Sequence, residues 1–146
     1  MSALTVERLS GSDLDLKKAL SGADLPTNDV EDEGRTFFRI VDDNDRTVAF
    51  AGLEACGGDQ LLRSVVVLPD QRGKGVGHAA VSAVLAHVKP GRAVYLATTN
   101  ASPFFERLGF IEVQRENLPA GVLETQQLSS LCPSSATIMK LTRPPT

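Results

Sequence analysis

The chain predicts a mixed α/β fold organised around a central mixed sheet, and three observations carry that reading. Short apolar, β-branched runs recur along the whole length. Segments with helical apolar spacing lie between them. One stretch, Leu61 to Val88, sets a strand, a glycine-rich turn and a helix in direct succession, which is how a parallel crossover begins.

The chain of 146 residues is expected to form one domain over 1–146, large enough to bury a core without staples. Hydrophobic residues make up 42% and charged residues 23%, ordinary for a globular protein. A net charge of -3 gives no support for a nucleic-acid partner, which calls for a basic face. Cys56 and Cys132 are far apart and without C-x-x-C spacing, which argues against a disulfide framework and against a zinc site. No metal site is predicted. The N-terminal residues lack a signal-peptide pattern, and no apolar run approaches the roughly 18 residues of a membrane span. A cytoplasmic protein without a membrane partner is expected.

Leu4–Leu9 alternates weakly and reads as a first strand. Ser12 is the expected N-cap of a helix with Asp13 and Asp15 in its first turn, Leu16, Ala19 and Leu20 as its apolar stripe, and Gly22 as its C′ stop. Residues 23–35 form a polar, acid-rich loop, either merely solvated or selecting acceptors by charge. Thr36–Val41 and Thr47–Cys56 are strands joined by the turn-rich Asp42–Asp45, and Gly57-Gly58-Asp59 turns the chain into a further strand closed by Pro69. Val76, Ala79, Ala80, Ala83, Val84 and Val88 give the next helix its inner face. Ala93–Ala97 follows as a strand parallel to the previous one. Pro103 starts a helix that Gly109 ends, Phe110–Val113 is a strand, a short helix opens at Asn117-Leu118-Pro119 and runs to about Leu128, and Ala136–Leu141 is the last strand.

The glycine-rich turn supplies the chemistry. Glycines before a helix let backbone N–H groups approach a ligand, and the helix dipole with Arg72 and Lys74 favours an anion there. A P-loop is excluded because no Lys-Ser or Lys-Thr pair occurs, and Gly73, Gly75 and Gly77 do not meet the G-x-G-x-x-G spacing of a dinucleotide fold. Arg72, Gly75 and Gly77 do form R-x-x-G-x-G directly after an apolar strand. That pattern resembles the pyrophosphate loop of the GNAT acyltransferases, which bind acetyl-CoA. A second segment, TTNASPFFERLGFIEV, resembles the family's helix followed by Leu108-Gly109-Phe110. SLCPSSATIMKL together with LLRSVVV resembles small GNAT proteins associated with arsenic-resistance operons.

The resemblance covers nearly the whole chain and implies the GNAT acyl-CoA N-acyltransferase fold, with the fourth and fifth strands splayed so that pantetheine enters between them. By position, Val65, Val66 and Val67 would offer backbone groups to the pantetheine while also packing as a core strand. Gln71, Arg72, Gly73, Lys74, Gly75, Val76, Gly77 and His78 would wrap the pyrophosphate, and Asn100 and Phe105 stand near the cofactor arm. The family often carries a tyrosine acid where this chain has Phe105. Cys132 can replace it as a thiol donor, or be a small buried hydrophobe, with Ser134, Ser135 or water as alternatives. His78 reads as solvent-facing and His87 as a packed imidazole, so a Ser/His hydrolase has no support.

An amine must be neutral to attack a thioester, so a carboxylate, directly or through water, can take its proton. Glu54 is the candidate base; the alternative is an exposed strand carboxylate. Arg63, in an otherwise apolar strand, together with Ser64, would bind an acceptor carboxylate or phosphinate-like group, or Arg63 pairs with Glu54 or with an acid of the 29–33 loop. The expected function is acetyl transfer from acetyl-CoA to a small-molecule amine, such as an amino-acid-like toxin. The alternatives are a catalytically silent acyl-CoA-binding module and a peptide or polyamine acetyltransferase. The family often dimerises, which implies a homodimer.

Overall fold

The protein is described by a computed structural model that covers residues 4–23, 25, 27, 31, 34–56, 58–71, 73, 75–88, 91–98, 101–123 and 136–142. In chain order it contains β1 (Thr5–Leu9), α1 (Leu14–Gly22), β2 (Arg35–Val41), β3 (Thr47–Cys56), β4 (Asp59–Val67), α2 (Val76–Leu85), β5 (Ala93–Thr98), α3 (Ser102–Glu106), β6 (Ile111–Glu112), α4 (Ala120–Leu123) and β7 (Thr137–Thr142). The strands make one seven-stranded mixed sheet in the order β1-β2-β3-β4-β5-β7-β6. This is the mixed α/β architecture read from the sequence.

By its internal packing the chain divides into two compact units, Met1–Leu53 with Ser64–His87, and Glu54–Arg63 with Val88–Thr146. In the first, β1 runs antiparallel to β2 from Thr5↔Val41 to Leu9↔Phe37. The β2–β3 turn is fixed by Asp42, whose Oδ1 accepts from the backbone N–H of Asn44 and Arg46, and Asp45 takes a left-handed φ of 62°. Leu16 and Leu20 of α1 pack with Phe37, Phe50 and Val66 into one core cluster. The cap of α1 is Asp13, not the adjacent Ser12: its carboxylate accepts from Leu16 N–H at 3.0 Å. Gly22 is the last helical residue and not a C′ stop, since the turn closes through Leu25 N–H donating to Leu20 C=O at 2.9 Å.

In the second unit β5 pairs antiparallel with β7 from Ala93↔Thr142 to Thr98↔Thr137, and β7 pairs antiparallel with β6. The final strand thus sits between β5 and β6, an order the sequence left open. Among the described residues β4 and β5 pair in parallel through Gln60↔Val94 and Leu61↔Tyr95, against six registered pairs between β5 and β7. Cys56, Leu61, Tyr95, Leu118, Val122 and Ile138 form this unit's core cluster. Gly109, at φ 100°, ends the α3 segment: its N–H donates to Glu106 C=O and the Phe110 N–H to Phe105 C=O. That is a Schellman closure, and it returns Phe110 onto Phe105, with ring centroids 5.7 Å apart. The Leu-Gly-Phe segment therefore has a local cause. The expected helix from Asn117 begins with a 3-10 turn over Arg115–Asn117 and continues as α4, and residues 124–135 lie outside the described residues.

Candidate functional site

The glycine-rich turn is entered from β4 through a 3-10 turn, Pro69–Gln71, in which Gln71 N–H donates to Leu68 C=O. Gly73 and Gly75 have φ of 81° and 75°, values an L side chain adopts only with strain, so glycine is required by the backbone itself. A Cβ built on either meets nothing within 4 Å, so the space beside them is open. Gly75 is the N-cap of α2 and provides no side-chain cap, which leaves the first-turn N–H donors for another acceptor. This backbone fits a phosphate-bearing ligand. Gln71, Val76 and Gly77 are half-buried and His78 is exposed, as expected. Arg72 and Lys74 lie outside the described residues, as do Asn100 and Cys132.

The helix that carries this turn is held largely by the anticipated face, with Val76 and Ala83 half-buried and Val81 and Leu85 added to it. Ala80, Val81, Val84 and Leu85 are buried, with Val88 beyond the helix, while Ala79 is exposed. His87 is exposed but lies against Phe38, ring centroids 5.2 Å apart. In β4 the Val66 side chain enters the first unit's core, and Val65 and Val67 are half-buried. Ser64 has φ 58° in the middle of the strand while 8% exposed, an outlier that interrupts the regular pleat. Nothing in the sequence signals it, because neither glycine nor asparagine marks the position.

Within the second unit, Glu54 and Arg63 meet. Arg63 Nη1 donates to Glu54 Oε1 at 3.0 Å, with side chains 1% and 4% exposed respectively. Of the sequence alternatives, the Arg63–Glu54 ion pair is the one observed, and Glu54 is buried where an exposed strand carboxylate was the other reading. Two desolvated charges persist only when paired and hydrogen-bonded, which makes this pair a fixed feature of the β3–β4 hairpin. Cys56 lies two residues from Glu54, and its thiol is pushed up to about 12 by burial first, then by the charges of Asp59 and Glu54. It is a core residue without nucleophilic character. Asp59 Oδ1 accepts from Ala93 N–H at 3.0 Å and fixes the start of β5, a role the sequence did not suggest. Phe105 is 7% exposed and stacks edge-on with both Phe104 and Phe110, so the position expected near the cofactor arm is apolar core. Tyr95 is equally buried, beneath Lys140 Nζ at 5.7 Å.

Among the described residues no group of three or more His, Cys, Asp or Glu side chains is arranged to hold a metal ion, and no helix is long and apolar enough to cross a membrane.

The acetyltransferase (GNAT) domain family matches residues 33–112, from the entry into β2 through β6. No curated protein matches the chain. Solved structures share its fold. GCN5 from Tetrahymena superposes with a TM-score of 0.73 at 14% identity, covering 97% of this chain and 98% of its own. Rv2747 from Mycobacterium tuberculosis, solved in complex with CoA, gives a TM-score of 0.67 at 22% identity, covering 94% of this chain and 98% of its own. N-acetylglutamate synthase from Neisseria gonorrhoeae, complexed with coenzyme A and L-arginine, gives 0.70 at 13% identity over 99% of this chain but 34% of that larger protein. Since the family match spans more than half of the 146 residues and includes the glycine turn and both hairpin charges, the chain belongs to the GNAT acetyltransferase family and is an N-acetyltransferase by that membership.

Proposed function

We propose that the protein moves the acetyl group of acetyl-CoA to the amine of a small molecule, with residues 1–146 acting as one catalytic domain. The observation that carries this reading is the left-handed, side-chain-free backbone at Gly73 and Gly75, followed by an uncapped helix N-terminus. The backbone N–H groups of Gln71–His78, with Arg72 and Lys74, bind the pyrophosphate. Val65, Val66 and Val67 hold the pantetheine through main-chain groups, and Asn100 and Phe105 border the arm. Acetyl-CoA supplies an activated acyl group as a thioester.

This chain's residues must then position the amine and remove its proton. Glu54 takes that proton directly or through water, and Arg63 holds the carboxylate in place by the 3.0 Å hydrogen bond. In this assignment Arg63 acts on the acceptor through Glu54, with Ser64 beside it on the acceptor side. A backbone N–H of β4 stabilises the carbonyl oxygen as it gains charge. The leaving thiolate is a weak base, so Phe105 in place of an acid does not prevent transfer, and Cys132 remains the candidate donor.

An amino-acid-like toxin is the acceptor class suggested by the arsenic-operon resemblance. Phe105, standing where the family often carries a tyrosine acid, favours a second reading, a silent acyl-CoA-binding module. Thermal unfolding with and without acetyl-CoA, followed by thiol release over amino-acid analogues, phosphinic and arsinic ones included, separates the two. Stabilisation with release supports transfer; stabilisation without release on any amine supports the silent module; no stabilisation of folded protein contradicts both.

A further inference from the structure

The first unit carries an open groove that the chemistry above does not use. Asp15, Lys18 and Ala19 of α1, Thr47 and Phe50 of β3, and Leu68 just past β4 line about 380 Å³ of it. Small-molecule pockets run from about 300 to 1,000 Å³, so the space suits a ligand of metabolite size. Its floor is apolar: Phe50 is a member of the buried cluster, and Ala19 and Leu68 pack against that cluster. Its rim carries opposite charges. Asp15 and Lys18 stand three residues apart on α1, hence on one helix face, and both are exposed. Among the described residues neither has a hydrogen-bond or ion-pair partner, whereas adjacent Lys17 is paired with Glu31. Favourable placement of an acid in the first turn accounts for Asp15 alone. It explains neither Lys18 beside it nor the groove beneath them.

We propose that this groove binds a free α-amino acid with an apolar side chain. The ammonium pairs with Asp15, the carboxylate with Lys18 and the Thr47 hydroxyl, and the side chain covers Phe50, Ala19 and Leu68. Both charges of a zwitterion find a partner of opposite sign, and its apolar part leaves water. None of the residues assigned to acetyl transfer lines the groove, so the bound amino acid is a ligand that is not consumed. Leu68, the groove's wall, donates its N–H to Val48 C=O and accepts from Gln71 N–H, so the groove and the turn leading to the glycines share one residue. The binding claim does not rest on the proposed cofactor role, because it is read without acetyl-CoA.

The test is calorimetric titration of the full chain with L-leucine, with N-acetyl-L-leucine and L-leucinamide as probes lacking one charge each. Saturable binding of leucine, at least about tenfold weaker for either blocked probe, is expected. Asp15→Asn and Lys18→Met, each checked for unchanged thermal unfolding, should weaken leucine about tenfold or more, and Thr47→Val by less. Should Asp15→Asn cost stability through the helix terminus, Lys18→Met and the leucinamide comparison still decide the matter. No saturable binding up to millimolar leucine, or binding indifferent to both charge variants, would overturn the site. Formation of N-acetylleucine in the presence of acetyl-CoA, lost in Asp15→Asn and Lys18→Met in parallel with leucine binding, would overturn its assignment as an unconsumed ligand. Failure of CoA to bind would leave the leucine result unchanged and count against the cofactor reading alone.

Discussion

At the scale of single residues, the Glu54–Arg63 pair dominates. Removing one member leaves the other buried and uncompensated, so Arg63→Met is expected to destabilise the fold by about 3–5 kcal/mol. The double variant Glu54→Leu/Arg63→Met should recover most of that loss. Urea midpoints read both, and a wild-type midpoint for Arg63→Met would contradict the burial seen here. Ser64 makes a separate case. Relief of its 58° φ by Ser64→Gly should cost nothing or stabilise by up to about 1 kcal/mol, while Ser64→Val should lose about 1–3 kcal/mol. Cys56 sets a pH dependence. Its folded thiol keeps its proton to about 12 against an ordinary value of 9.0, so the unfolded chain ionises first. The contribution is fully present below about pH 9 and is lost between 9 and 12. Cys56→Ala should flatten that alkaline decline in denaturation curves, and an unchanged slope would remove the thiol as its source. The arginine in an apolar strand was legible as a residue in need of a partner. The Ser64 backbone was not, because serine has no marked preference for a left-handed φ.

At the scale of elements, the glycine turn and α2 act together. Gly75→Asp adds strain at φ 75° and a negative charge where the pyrophosphate is proposed to sit, and CoA affinity should fall at least about a hundredfold. Gly91→Asp is the control, since Gly91 has φ 85° and equally open space but lies outside the turn. Similar losses in melting temperature with CoA binding lost in the first variant alone are expected by calorimetry. Equal binding by the two would contradict the loop assignment. Strand positions were largely legible: β3 has the bounds Thr47–Cys56 that its flanking turns imply. The inner face of α2 was legible through Ala80, Val84 and Val88, but not its width: VGHAAVSAVL is apolar nearly all round, so Val81 and Leu85 are buried and Ala79 is exposed. Ser12 and Asp13 are both competent caps, and geometry rather than propensity chose Asp13.

At the scale of the whole molecule, composition and element order were enough for the mixed α/β class and for the family resemblance, because local patterns carry both. The placement of β7 between β5 and β6 was not readable, since it depends on pairing between residues distant in sequence. Of the candidate site, the turn was visible through its glycines, while the pairing of Glu54 with Arg63 was one of several open options. A ligand that binds the folded chain stabilises it, by about 2.7 kcal/mol at a hundred times its dissociation constant. Acetyl-CoA should therefore raise the melting temperature of the wild type and of Glu54→Gln, but not of Gly75→Asp.

The most direct measurement is initial-rate thiol release from acetyl-CoA over a panel of small amines, with the acetylated product identified by mass spectrometry. Turnover of at least one amine by the wild type is expected. Glu54→Gln, which keeps an oxygen to accept from Arg63 and is assayed below the onset of its own thermal unfolding, should be slower by about a hundredfold to ten-thousandfold in kcat with CoA binding intact, the range expected when a general base is removed. Gly75→Asp should fail at the binding step. Wild-type rates in Glu54→Gln, or turnover by Gly75→Asp at ordinary acetyl-CoA concentrations, would contradict the proposed function.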